Sequence, residues 1–121
     1  MPNPFVHIEL NTPDPAKAKK FYSQLFDWKL EDVPNSAVPT GEYTIVQVGQ
    51  GTGGGMMQQV PGGPLGWLPY IEVKEVRAAT EKAKSLGGKV MKDVTEVPGM
   101  GSFSILQDPT GAVVGLWQGK A

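Results

Sequence analysis

Between Phe5 and Leu10 the chain alternates apolar Val6, Ile8 and Leu10 with polar His7 and Glu9, the two-residue period of a strand whose faces meet different surroundings. This predicts a first strand over FVHIEL. Thr12-Pro13-Asp14-Pro15 follows, where Asp14 suits a helix cap and Pro15 a first turn that needs no N–H. Ala18, Phe21, Tyr22, Leu25 and Phe26 then recur at helical spacing, so a helix over Asp14–Phe26 presses that stripe onto a sheet and leaves Lys17, Lys19 and Lys20 in water. WKLEDV, YTIVQV and GGMMQQ supply three further strands, with GQGTGGG turning the chain between the last two.

After VPGGPLG, in which glycine and proline interrupt both helix and ladder bonding, the order repeats. LPYIEV predicts a strand and Val76–Leu86 a helix carrying Val76, Ala79, Ala83 and Leu86 on one side. Gly87-Gly88 ends it by supplying left-handed conformations. KVMKDV, SFSILQ and GAVVGLWQ are the last three strands. A shift of 61 lays Asp14 on Glu75, Leu25 on Leu86 and Trp28 on Lys89. The identity is faint, but the order of elements is duplicated, and a half of this size struggles to bury a core alone. The fold class is therefore α+β, two βαβββ units of about 1–60 and 65–121 joined by a linker over 61–64, in one domain spanning 1–121.

Composition narrows the functions. Eleven basic and twelve acidic residues leave a formal charge of −1, without the basic face that nucleic-acid binding needs. No cysteine occurs, which excludes disulfides, thiolate metal sites and a cysteine nucleophile. MPNPFVHIEL lacks the basic and apolar pattern of a leader, and no apolar run has the length of a membrane span. The expectation is a cytoplasmic protein with neither a nucleic-acid nor a membrane partner.

With VHIELNTPDPAKAKKFYSQLFDW in the first half, and SLGGKV followed by DPTGAVVGLWQ in the second, the chain resembles the vicinal oxygen chelate superfamily, which includes glyoxalase I, bleomycin-resistance proteins, fosfomycin-resistance enzymes and extradiol dioxygenases. The resemblance covers nearly the whole chain and is nearest to uncharacterised glyoxalase-related members. It implies that each unit curls into a half-barrel, mainly antiparallel with its helix outside. It also implies a metal held from the first and last strands of each unit, and a homodimer as the usual assembly. His7, seven residues before Asp14, matches the first ligand. The other three positions fall on Leu68, Met57 and Gly115, where the family commonly has a histidine and two glutamates. Leucine and glycine offer no ligand side chain, and a thioether is a poor partner for the hard or borderline ions of such sites. The expectation is accordingly no metal and no cofactor, and the glyoxalase name does not travel with the fold, because that reaction needs a metal to polarise its substrate and a carboxylate to move the proton.

Three features are read for chemistry. His7 and Glu9 leave one strand face and can form an acid–base pair, a carboxylate raising and orienting an imidazole; the plainer alternative is a pocket histidine satisfied by a neighbour. Strand alternation places Asn11 beside them and puts Leu68, Tyr70 and Glu72 on the concave side of the second unit. With Met57, Phe103 and Trp117 these predict a small-molecule pocket, for which ordinary core packing is the competing explanation. Gly49, Gly51 and Gly54 spell a dinucleotide fingerprint, yet Pro61 leaves no room for the helix it requires, so a turn suffices. Trp28 and Trp67 are expected to pack the helices or a dimer seam, and TEVPGMGS to be a lid or a plain hairpin. Three functions follow. The first is a small-molecule-binding protein with its pocket on the concave sheet face. The second is a metal-independent lyase or isomerase acting on a small carbonyl compound through His7 and Glu9, with Tyr70 beside the oxyanion. The third is sequestration of a cationic antibiotic, against which the near-neutral charge weighs.

Overall fold

The computed structural model describes residues 2–120, and they form two compact units, His7–Leu68 and residues 2–6 together with 69–120. The first unit takes β1 (Phe5–Thr12) from His7 onward, then α1 (Pro15–Leu25), β2 (Lys29–Pro34), β3 (Glu42–Gln47) and β4 (Gly54–Gln58). The second takes β5 (Gly66–Glu72) from Pro69 onward, then α2 (Val76–Ser85), β6 (Lys89–Val97), β7 (Gly101–Gln107) and β8 (Val113–Gly119). Strand order is β2-β3-β4-β1 in the first unit and β5-β8-β7-β6 in the second. In both, the first strand pairs parallel with the last, and the other pairings are antiparallel. A parallel pair needs a long crossover, and the helix and two intervening strands provide it. The predicted strand-helix-strand-strand-strand order is thus realised twice.

Local chemistry sets the helix ends. The Asp14 side chain accepts from the Lys17 N–H at 3.1 Å and Pro15 opens α1, while the Phe26 N–H closes onto the Tyr22 carbonyl. Glu75 occupies the equivalent position before α2 without a side-chain cap. There the Val76 N–H donates instead to Gln118 Oε1 on β8 at 2.8 Å. Gly87, at φ 94°, turns the chain out of α2, and the Gly88 N–H returns to the Ala83 carbonyl, a bond that satisfies one of the open carbonyls at a helix end.

Each helix packs on strands of its own unit. Leu10, Val46 and Met56 form the first core, with Ala18, Tyr22, Trp28 and Leu30 against it. Val76, Leu106 and Leu116 form the second, with Val73, Ala79, Ala83 and Val90. A polar pair is sealed into the second layer: Thr80 Oγ1 donates to the Val76 carbonyl and lies 2.9 Å from Ser104 Oγ, and neither residue is more than 1% exposed. Trp28 stacks on Tyr22, and Trp67 meets both edge-on, so the tryptophans pack against α1. Met100 lies in the turn between β6 and β7, a hairpin. Among the described residues no helix is long and apolar enough to cross a membrane.

Candidate functional site

Leu10 enters the helix-facing core, so alternation turns Glu9 and Asn11 to the opposite face of β1, and His7 with them. Glu9 and Asn11 are buried. A buried carboxylate is costly unless hydrogen bonds replace its water. Two do so: Tyr43 Oη donates to Glu9 Oε2 at 2.8 Å and Asn11 Nδ2 to Oε1 at 3.3 Å. Tyr43 Oη also lies 2.7 Å from His7 Nε2, with the two rings 6.1 Å apart and inclined by 24°. Tyr43 therefore stands between the two residues that the sequence pairs directly. Burial pushes the His7 pKa below its ordinary value, opposite to the rise that a partner carboxylate alone would cause.

Tyr43 reaches this position because the sheet leaves room for it. In the order β3-β4-β1, Gly55 is paired with Ile45 on one side and Glu9 on the other. Tyr43, two residues before Ile45, shares its face and lays its ring over Gly55. A Cβ at Gly55 would overlap the Tyr43 ring, and one at Gly54 would run into the Ile8 carbonyl. The glycine run does more than turn the chain: Gly49 and Gly51 adopt positive φ in the loop, whereas Gly54 and Gly55 are strand residues kept bare by close approach. Tyr43 is the site residue that the sequence reading passed over. Alternation gives it only a face of β3, shared with Ile45; the strands it lies across come from the ladder.

The second unit repeats the device with other side chains. Tyr70 pairs with Gly115 across β5 and β8, and a Cβ on Gly115 would overlap the Tyr70 ring. Phe103 meets Tyr70 edge-on at 6.1 Å and lies opposite Trp117 in the β7–β8 register, while Glu72 lies opposite Trp117 across β5 and β8. The predicted site residues thus fall into two groups: His7, Glu9, Asn11 and Met57 in the first unit, and Tyr70, Glu72, Phe103 and Trp117 in the second. The register also corrects one correspondence. On the first strands the shift of 61 lays Glu9 on Tyr70 and Asn11 on Glu72, and their ladder partners, Gly55 and Met57 against Gly115 and Trp117, are then related by 60, so the counterpart of Gly115 is Gly55 and not Met57. Among the described residues no group of three or more His, Cys, Asp or Glu is placed to hold a metal ion. An open groove of about 400 Å³ runs past Asp27, Lys29, Val46, Gln47 and Gly53; none of the predicted site residues lines it.

A duplicated βαβββ unit with a polar face on its first strand defines a glyoxalase-type protein. The family profile described as Glyoxalase/Bleomycin resistance protein/Dioxygenase superfamily matches residues 5–116, and the chain belongs to that superfamily. A Mycobacterium tuberculosis protein named "Putative glyoxylase CFP32" is 38% identical over 117 residues, covering 92% of this chain and 44% of its own. The chain therefore spans less than half the length of that relative. A glyoxylase-like domain-containing protein of Didymella fabae is 31% identical over 108 residues, covering 86% of this chain and 84% of its own. Among solved structures, a hypothetical protein of Bacillus halodurans superposes with TM-score 0.73 at 14% identity, over 100% of this chain and 97% of its own. Methylmalonyl-CoA epimerase of Mycobacterium tuberculosis gives 0.69 at 13% identity, over 97% and 88%. At such identities these superpositions bear on the fold alone.

Proposed function

We propose that the protein binds a small, partly aromatic or carbonyl-bearing molecule against the polar face of β1, without a metal. The buried chain Asn11–Glu9–Tyr43–His7 carries this reading. Apolar residues of similar volume would cost less to bury, and clustered, environment-shifted titratable groups are commoner at functional sites than elsewhere. In this reading the family's metal has no counterpart here. The corresponding positions hold His7, Leu68, Gly55 and Gly115, and one imidazole already engaged by a tyrosine does not make a divalent-ion site. Tyr70, Glu72, Phe103 and Trp117 are proposed as ligand-contacting residues of the second unit in its own right.

A second reading is favoured by one feature, the Tyr43 hydroxyl linking His7 to Glu9. In it the protein is a metal-independent lyase or isomerase in which His7, neutral because it is buried, takes a proton from a carbon next to a carbonyl. Calorimetric titration of small aromatic acids, ketones and aldehydes into the purified protein tests the binding reading. We expect an affinity that His7→Ala weakens at least about tenfold, the scale of one lost charge-assisted or buried hydrogen bond. Equal affinity in wild type and His7→Ala for every compound that binds would remove the β1 face from the site. Product analysis on the same mixtures decides between binding and turnover. A cytoplasmic location and a homodimeric state belong to the same proposal. The exposed side chains of Phe21, Leu25, Leu65 and Trp67 supply an apolar surface of the kind that subunit contacts cover.

A further inference from the structure

We propose that Tyr43 is a positioning residue that fixes His7 in its Nε2–H tautomer by passing that hydrogen bond on to Glu9. The inference rests on the β1 binding reading for its purpose, though not for its test. Counting hydrogens gives the direction. A tyrosine hydroxyl has one hydrogen to donate, and its oxygen accepts through lone pairs. The hydroxyl of Tyr43 lies 2.8 Å from Glu9 Oε2 and 2.7 Å from His7 Nε2, so it can donate to one of them only. If it donated to His7, Glu9 Oε2 would face an oxygen lone pair at 2.8 Å in a buried setting, with no hydrogen between them.

The other carboxylate oxygen agrees with this direction. Asn11 Nδ2 donates to Glu9 Oε1 at 3.3 Å, and an ionised Glu9, which can only accept, takes the Tyr43 hydrogen on Oε2. The hydrogens then run one way, from His7 Nε2–H to Tyr43 Oη–H to Glu9 Oε2, with Asn11 Nδ2–H closing on Oε1. The ring's lone pair is left on Nδ1, which becomes its basic nitrogen. The identity of the bond made at one ring nitrogen sets the tautomer at the other. Gly55 is part of the device, because only a residue without Cβ lets the Tyr43 ring lie across β4 to reach β1.

His7 is the only histidine in the chain, so the imidazole nitrogen spectrum of the uniformly ¹⁵N-labelled, untagged chain contains one ring. Long-range proton–nitrogen correlation at about pH 8, where an ordinary histidine is neutral, should show Nε2 as the protonated nitrogen and Nδ1 as the lone-pair nitrogen. The Nε2 hydrogen should exchange slowly with water and show a cross-relaxation contact to Tyr43. In Tyr43→Phe that slow-exchanging signal should disappear and the two nitrogen shifts should move towards each other as the tautomers mix. A wild-type ring protonated at Nδ1 overturns the proposal, as does a folded Tyr43→Phe whose His7 spectrum is unchanged. Should that variant not fold, the wild-type spectrum decides by itself, since only an Nε2–H ring in contact with Tyr43 agrees with the assignment. No ligand is present in the measurement. A protein that binds nothing in the calorimetric test would still give this spectrum, and the two readings fail separately.

Discussion

His7 loses water on folding and gains a tyrosine hydroxyl in exchange, and the balance keeps its pKa below the ordinary value of 6.5. The unfolded chain therefore binds the proton more readily than the folded one. By linkage, stability is fully present above about pH 6.5 and is lost as the pH falls through that value towards the lower folded pKa. Urea unfolding between pH 8 and pH 5 should show this decline, and His7→Gln, which cannot titrate there, should flatten it; equal slopes in both proteins would contradict the burial account. Gly55→Ala supplies a second test at this scale. Its methyl group would overlap the Tyr43 ring, and overpacking of this kind costs about 1–3 kcal/mol, so the urea midpoint should fall and the His7 ring signals should shift. His7, Glu9 and Asn11 were legible as one face of β1 from alternation alone. Tyr43 was not, because its place depends on which strand lies beside β4 and on a missing Cβ, and neither is written in its neighbours.

The elements themselves were legible in order and type, with ends displaced by up to three residues, as where β6 runs on to Val97 past KVMKDV. Asp14 and Pro15 mark the start of α1 through a side-chain cap and a fixed φ, signals local to the sequence. Asp14→Ala should cost about 0.5–2 kcal/mol, the usual range for a lost N-cap, read as a fall in thermal midpoint without loss of helix content. The start of α2 was less legible, since its first N–H is met by Gln118, forty-two residues away. Glu75 shows only its position. Core contributions follow the same division: Leu10 is 7% exposed and packs under α1, so Leu10→Ala should cost about 2–5 kcal/mol. A loss below 1 kcal/mol would place the first core elsewhere. The counterpart of Gly115 was misjudged by two residues in the sequence because a β-strand run of glycines and methionines has no feature to fix its register, which only the ladder from Glu9 to Gly55 supplies.

At the scale of the whole molecule, two units of the same order share a helix-facing stripe and a bare glycine on the last strand, while the opposite face differs between them. In the first unit that face became His7, Glu9, Asn11 and Tyr43, and in the second Tyr70, Phe103 and Trp117. The family could be read from the sequence, but the ligand could not, since a fold fixes where side chains stand and not what they meet. If the proposed homodimer is correct, sedimentation equilibrium should give twice the chain mass, and Phe21→Glu with Leu25→Glu should return it to the 12.9 kDa monomer; a monomeric wild type would contradict it. The binding claim is tested most directly by chemical-shift mapping of the ¹⁵N-labelled chain against a library of small aromatic and carbonyl compounds. Saturable shifts centred on His7, Glu9, Asn11 and Tyr43 are expected. Shifts confined to the groove at Asp27, Lys29 and Gly53, or no saturable shifts from any compound, would contradict it.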